Sequence, residues 1–154
     1  MAAAALSLSA CITINVPAPG GDSGRPASQD VECRDAAVVL KESDTSYVLT
    51  GDCDEVSIEG QNITVGADSI DDLEISGDGM LVTVQEFDTL AVNGQENSVQ
   101  AGDGGDVVIT GDRNKLAVTN DLDELTINGN ENAITVDGFI ARVTDNGDRN
   151  TGVE

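Results

Sequence analysis

An all-β fold, a parallel β-solenoid with coils of 17–18 residues, is what this sequence predicts. Glycine returns at Gly60, Gly77, Gly94, Gly111, Gly129 and Gly147, so the successive intervals are 17, 17, 17, 18 and 18 residues. The text around each glycine repeats, as LEISG (73–77), LAVNG (90–94), VVITG (107–111), LTINGNEN (125–132) and VTDNGDRN (143–150). Apolar residues alternate with polar ones on both sides of it. A unit this short cannot bury its own apolar face, so it must stack on its neighbours.

The amino end comes first in the chain and is of a different kind. Residues 1–11 are apolar and small, ending in Leu8, Ser9, Ala10 and Cys11, a stretch that resembles the lipobox of bacterial lipoproteins. That resemblance implies cleavage before Cys11 and a diacylglyceryl group on its sulfur, although no Lys or Arg precedes the apolar stretch. The run is too short to span a bilayer, which needs about 20 apolar residues. Residues 12–30 contain all three prolines with several Gly and Ser and no apolar period, the composition of a disordered tether. Residues 31–154 then form the solenoid. Its opening segment, with Val38, Leu40, Tyr47 and Leu49, reads as an imperfect cap, and the residues after Gly147 read as a frayed last coil.

Each coil holds two half-buried strands. The first points Leu73 and Ile75, Leu90 and Val92, Val107 and Ile109, and Leu125 and Ile127 inward. The second does the same with Val82 and Val84, Val99 and Ala101, Leu116 and Val118, and Ile134 and Val136. A third apolar position, at Ile70, Phe87, Leu122 and Phe139, fills the remaining corner. No hairpin signal turns either strand back on its predecessor, so equivalent strands pair parallel, about 4.8 Å apart. Right-handed crossovers are the favoured hand for such connections. The recurrent glycine is expected to supply corner backbone angles that other side chains resist.

Asparagine recurs three residues after the glycine, at Asn97, Asn114, Asn132 and Asn150, with inward parity. Stacked amides there would form a structural ladder that satisfies buried turn groups. Met80 interrupts it, and Asn62 falls one residue early.

If Cys11 is lipidated, Cys33 and Cys53 remain as an even pair. A disulfide between them would fasten the first coil and contribute roughly 3 kcal/mol. The alternatives are two free buried thiols or a metal pair, and the lack of histidine and of a CxxC motif argues against zinc.

An early Cys, a TGDC turn (50–53), VSIEGQN (56–62) and repeated I-x-G-x-x-N with trailing valines resemble the domain of unknown function 3060 family across about residues 31–150. That family occurs mostly in exported and lipid-anchored actinobacterial proteins. The resemblance implies a repeat fold and an envelope location, and it carries over no catalytic residue.

Charge supplies the remaining chemistry: 7 basic against 29 acidic residues give a net of −22. Such a surface repels nucleic acid. Many acids fall in one sector of the coil, and Asp72, Asp88, Asp106 and Asp123 are expected to stack into a column just before the first inward apolar residue. Neighbouring like charges at that spacing repel by roughly 1 kcal/mol in water. Calcium is the candidate cofactor that would relieve this, and the GDGGD run (102–106) faintly resembles calcium-binding β-rolls. A solvated acidic wall that prevents lateral pairing is the simpler expectation.

With no His, no Trp and one Tyr, the chain is poor in catalytic groups. Glycoside chemistry on Asp71, Asp72, Asp88, Asp106 and Asp123 would lack the aromatic platforms that stack on sugars. The expected protein is therefore a noncatalytic, lipid-anchored protein on the outer face of the cell membrane. Its expected contacts are the membrane, through the lipid anchor only, and an envelope protein or surface ligand. Calcium-dependent surface binding is the main alternative. A polysaccharide-active enzyme and a mimic of the DNA duplex are weaker ones, and the outward threonine columns are too interrupted for ice binding.

Overall fold

The computed structural model describes residues 12–13, 28–34 and 37–152. Expectations for residues 1–11, including lipidation at Cys11, and for 14–27 of the tether lie outside the described residues. Alternating sequence becomes strand throughout: β1 (Ile12–Thr13), β2 (Ser28–Glu32), β3 (Val38–Leu40), β4 (Ser46–Thr50), β5 (Asp52–Gln61), β6 (Thr64–Asp78), β7 (Leu81–Asn93), β8 (Ser98–Ile109), β9 (Lys115–Val118), β10 (Leu122–Ile127), β11 (Ala133–Val136) and β12 (Ile140–Asp145). Two of these, β1 and the start of β2, lie in the stretch assigned to the tether, so strand pairing begins ahead of residue 31.

Every pairing is parallel, and the partners lie one coil apart. Thr64 to Ala67 pair with Leu81 to Val84, which pair with Ser98 to Ala101, and so on up the stack. The result is the parallel β-solenoid that the glycine spacing predicts.

The core is a set of columns. Val56, Leu73, Leu90, Val107 and Leu125 form one, and Ile58, Ile75, Val92, Ile109 and Ile127 another, all buried. Opposite them run Val65, Val82, Val99, Leu116 and Ile134. Burying each aliphatic side chain contributes roughly 1.5–3 kcal/mol, offset by the entropy of ordering the chain.

Gly60, with a φ of 147°, fits the expected corner role, but the later members of the series recur for a different reason. Gly77, Gly94, Gly111, Gly129 and Gly147 do not have positive φ. A Cβ on any of them would fall inside the contact radius of the carbonyl oxygen of the preceding glycine in the column. Close stacking, not turn angle, excludes a side chain there. The left-handed backbone lies two residues further on and is carried mostly by other residues: Asn62, Glu96, Arg113, Glu131 and Arg149 have φ between 54° and 59°. The N–H of Asn62, Glu96, Arg113 and Glu131 donates to the coil above, as Arg113 N does to Asn130 O at 2.9 Å.

The inward Asn column is hydrogen-bonded rung by rung. Asn97, Asn114, Asn132 and Asn150 Oδ1 accept from the backbone N–H of Met80, Asn97, Asn114 and Asn132 at 2.9, 3.0, 2.8 and 2.8 Å. Their Nδ2 groups donate to the carbonyls of Gly77, Gly94, Gly111 and Gly129 at 2.9–3.0 Å. Met80 continues the column instead of ending it, since its sulfur accepts from Ile63 N–H at 3.4 Å. Asn62 belongs to the neighbouring left-handed column.

The amino end is fastened as expected, whereas the carboxyl end departs from its expected form. At the amino end Cys33 and Cys53 are joined by a disulfide, tying the segment after β2 to β5. At the carboxyl end, residues after Gly147 are in register: Asn150 accepts from Asn132, and Ala133 bridges to Thr151. Asp145 takes the inward place above Ile127 and accepts from Gly147 N–H and Asn150 Nδ2, a polar lid on that core column. Phe139 is not the corner residue of its coil. Ile140 pairs above Leu122 and Phe139 is turned out, 69% exposed.

Candidate functional surface

Strands β5 to β8 run unbroken through one corner of the coil, and two successive residues point outward there between buried ones. Asp54 and Glu55 stand between Cys53 and Val56, Asp71 and Asp72 between Ile70 and Leu73, and Asp88 and Thr89 between Phe87 and Leu90. A two-residue step outward at a bend breaks the alternation, so counting by twos fails there.

The register therefore divides the acids into two rows. One is Glu55, Asp72, Thr89, Asp106, Glu124 and Arg142. The other, one residue earlier, is Asp54, Asp71, Asp88, Gly105 and Asp123, flanked by those pairs on both sides. The expected single column of Asp72, Asp88, Asp106 and Asp123 is thus not formed. Asp72 and Asp106 are separated by Thr89, while Asp88 and Asp123 lie in the second row, separated by Gly105. Asp54 and Glu55, which the spacing argument overlooked, open the two rows. Aligning VSIEG with LEISG would have placed them.

Desolvation and neighbouring charge act together on one acid of the second row. The Asp71 carboxyl sits above the usual carboxylate range, raised first by desolvation and then by Asp88, Asp54, Asp72 and Asp52. Elsewhere the stack places a cation one coil from an acid: Lys41 with Glu59 at 2.9 Å, Arg113 with Glu96 at 3.1 Å, Arg142 with Glu124 at 3.2 Å and Arg149 with Glu131 at 2.7 Å. Exposed pairs of this kind contribute about 0–1 kcal/mol each. Among the described residues none of these ion pairs involves the Asp54, Asp71, Asp88 and Asp123 row.

Around Gly104 and Gly105 the corner carries a hollow of ≈ 420 Å³ rimmed by Asp71, Glu86, Asp88, Asp103, Asp121 and Asp123. Beside it lies a second depression of ≈ 570 Å³ with Gln85, Gln100 and Asn120 on its walls. Gln85 Nε2 donates to Asp68 at 2.8 Å and Asn120 Nδ2 to Asp103 at 3.0 Å, so part of the acid there is already satisfied. Among the described residues, no group of three or more acids or cysteines is placed to hold a metal ion. No helix among them is long and apolar enough to cross a membrane.

Residues 109–151 match a family model described as Protein of unknown function (DUF3060). The matched stretch contains Gly111, Asn114, Gly129, Asn132, Gly147 and Asn150, the Gly-x-x-Asn units whose carbonyl and amide groups bond coil to coil. No curated protein and no solved structure matches the chain.

Proposed function

We propose that this chain is a noncatalytic module of the cell envelope: a lipid-tethered rigid solenoid that acts by displaying its acidic corner to an envelope partner. One observation carries the display reading. The Asp54, Asp71, Asp88 and Asp123 row runs along a backbone fixed on both sides by parallel pairing, with Asp71 close enough to Asp54 and Asp88 for its carboxyl to be raised by both. Carboxylates held at one-coil spacing favour a cationic partner and retain little freedom to lose on binding. Lipidation and envelope location rest on the lipobox-like Leu8 to Cys11 and on the family likeness.

Fractionation of cells carrying the full chain, with mass spectrometry of the mature amino terminus, tests the location. A diacylated Cys11 in the membrane fraction, with Cys11→Ser released, is the expected result. An unmodified terminus in the soluble fraction overturns it. For the display reading, Asp54, Asp71, Asp88 and Asp123 changed together to Asn should abolish capture of envelope partners by the immobilised protein.

A second reading, calcium-dependent capture at a surface, draws on the acid-rich rim of the Gly104–Gly105 hollow, whose carboxylates are not preplaced for a metal and would have to be drawn together by the ion. Millimolar calcium that raises the melting temperature well beyond matched magnesium would favour it. An equal response to both ions returns the corner to a solvated acidic wall.

A further inference from the structure

The parallel segments 46–48, 64–67, 81–84, 98–101, 115–118 and 133–136 form one side of the stack along six coils. Its outward residues stand in two rows, one from Ser46 through Leu81 to Ala133 and one from Val48 through Thr83 to Thr135. Neither row contains a carboxylate, in a chain with 29 acids. The neighbouring side, which turns Ser57, Glu74, Ala91 and Val108 outward in one row, also carries Glu59, and the corner beyond it holds the two acidic rows. Most side chains of the acid-free rows are short, and Val48 and Leu81 leave apolar surface there, 42% and 43% exposed.

The two borders of this side are unlike in charge, and that selects the occupant. Along one run Asp68, Glu86, Asp103, Asp121 and Asp137. Along the other stand Arg113, Lys115 and Arg149. Arg113 and Arg149 are paired with Glu96 and Glu131, whereas Lys115 is in no ion pair among the described residues. A second copy supplies the missing acid. In a chain of net −22, contact through the acidic corner would set Asp against Asp, and contact through the neighbouring side would bury Glu74.

We propose that two copies of the chain pack face to face through this acid-free side, related by a two-fold axis that runs along the stack. That operation lays the Lys115 border of each copy against the acidic border of the other at the same height, where Asp103 and Asp121 stand. Six coils about 4.8 Å apart, each presenting about four residues of 3.3 Å, give a plane of about 380 Å² per copy. Side-chain relief brings the buried accessible area toward the ~600 Å² per copy of the smallest specific interfaces, so the pair is weak and concentration-dependent. Both stacks run the same way in it. Both amino ends therefore leave on one side, and the Asp54, Asp71, Asp88 and Asp123 rows stay open. Such a pair forms whether or not the acidic corner has a partner.

Sedimentation equilibrium of the full chain at rising concentration, with small-angle scattering, tests this. The mass should approach twice the monomer, while the maximum dimension grows little and the cross-section about doubles. Thr83→Glu and the isosteric Gln100→Glu, both at exposed outward positions, each bring two new carboxylates into the contact and should return the protein to monomer. Lys115→Glu should weaken association about tenfold or more, because it turns an attraction into a repulsion. Val108→Glu, 39% exposed on the neighbouring side, should leave association unchanged. A monomer at every concentration overturns the proposal, as does association that survives Thr83→Glu or Gln100→Glu, is indifferent to Lys115→Glu, or is lost in Val108→Glu. A dimer about twice as long as the monomer overturns it too.

Discussion

Asn114 donates its side-chain amide to the carbonyl oxygen of Gly94 at 2.9 Å, and that same oxygen is the atom a Cβ on Gly111 would strike. The glycine and the asparagine three residues later are therefore one device. Glycine lets a coil settle onto the one beneath, and asparagine then satisfies the carbonyl brought into the interior. Its Oδ1 meanwhile accepts the Asn97 N–H, so each amide joins its coil to the preceding one twice.

Removing one rung should cost the desolvation of both groups it serves. Asn114→Ala leaves Gly94 O and Asn97 N–H buried without partners, at about 1–3 kcal/mol each. Met80→Asn is expected to act in the opposite direction, by about 1 kcal/mol, because an amide oxygen replaces a thioether as acceptor for Ile63 N–H. Urea unfolding of both variants measures this, and a stable Asn114→Ala protein would refute the ladder's energetic role.

Two glycines of unlike surroundings give a matched comparison. Gly111→Ala forces its coil away from Gly94 O and should destabilise by about 3 kcal/mol or more. Gly66, with no atom near its would-be Cβ and no positive φ, should accept alanine with a gain of about 0.4–1 kcal/mol from the unfolded state. Thermal denaturation of the two variants distinguishes close approach from a general need for glycine.

At the acidic corner Gly104 stands where other coils place an apolar residue, and Phe87 with Leu122 fills its space. A Cβ on Gly104 would lie 2.5 Å from Phe87 Cζ and 2.9 Å from Leu122 Cδ1. Phe87→Ala should cost about 3–5 kcal/mol, and Gly104→Ala about 1–3 kcal/mol. In the double variant Phe87→Leu/Gly104→Ala the second loss should largely disappear. Additive losses in a double-mutant cycle would show that the two sites do not share volume.

Asp71 sets an acid response of unusual direction. Because its carboxyl is raised in the folded protein, the folded state binds that proton more tightly than the unfolded chain. Its contribution to stability therefore improves as pH falls through the raised value and levels off below the ordinary aspartate range. Asp71→Asn should raise the melting temperature at neutral pH and flatten that improvement. A variant whose pH profile overlies the wild type would place the repulsion elsewhere.

The period of seventeen to eighteen residues, the inward aliphatic columns and the Asn ladder were all legible in the sequence. They lie on straight strand segments, where side chains alternate strictly and coils are commensurate. At the corners the alternation breaks, and two neighbours point outward together. There the sequence could not tell Asp88 from Thr89, Asp123 from Glu124, or Phe139 from Ile140 as the residue in a given row. The same limit hid the left-handed column, whose residues share no chemical type and are defined only by an N–H turned along the stacking axis. The order of strands and the nature of the core followed from the chain alone, because burial of a repeated face has one economical solution. Which carboxylates face each other, why glycine recurs, and that the last coil closes its core with Asp145 were decided by contacts between coils, which no single repeat contains.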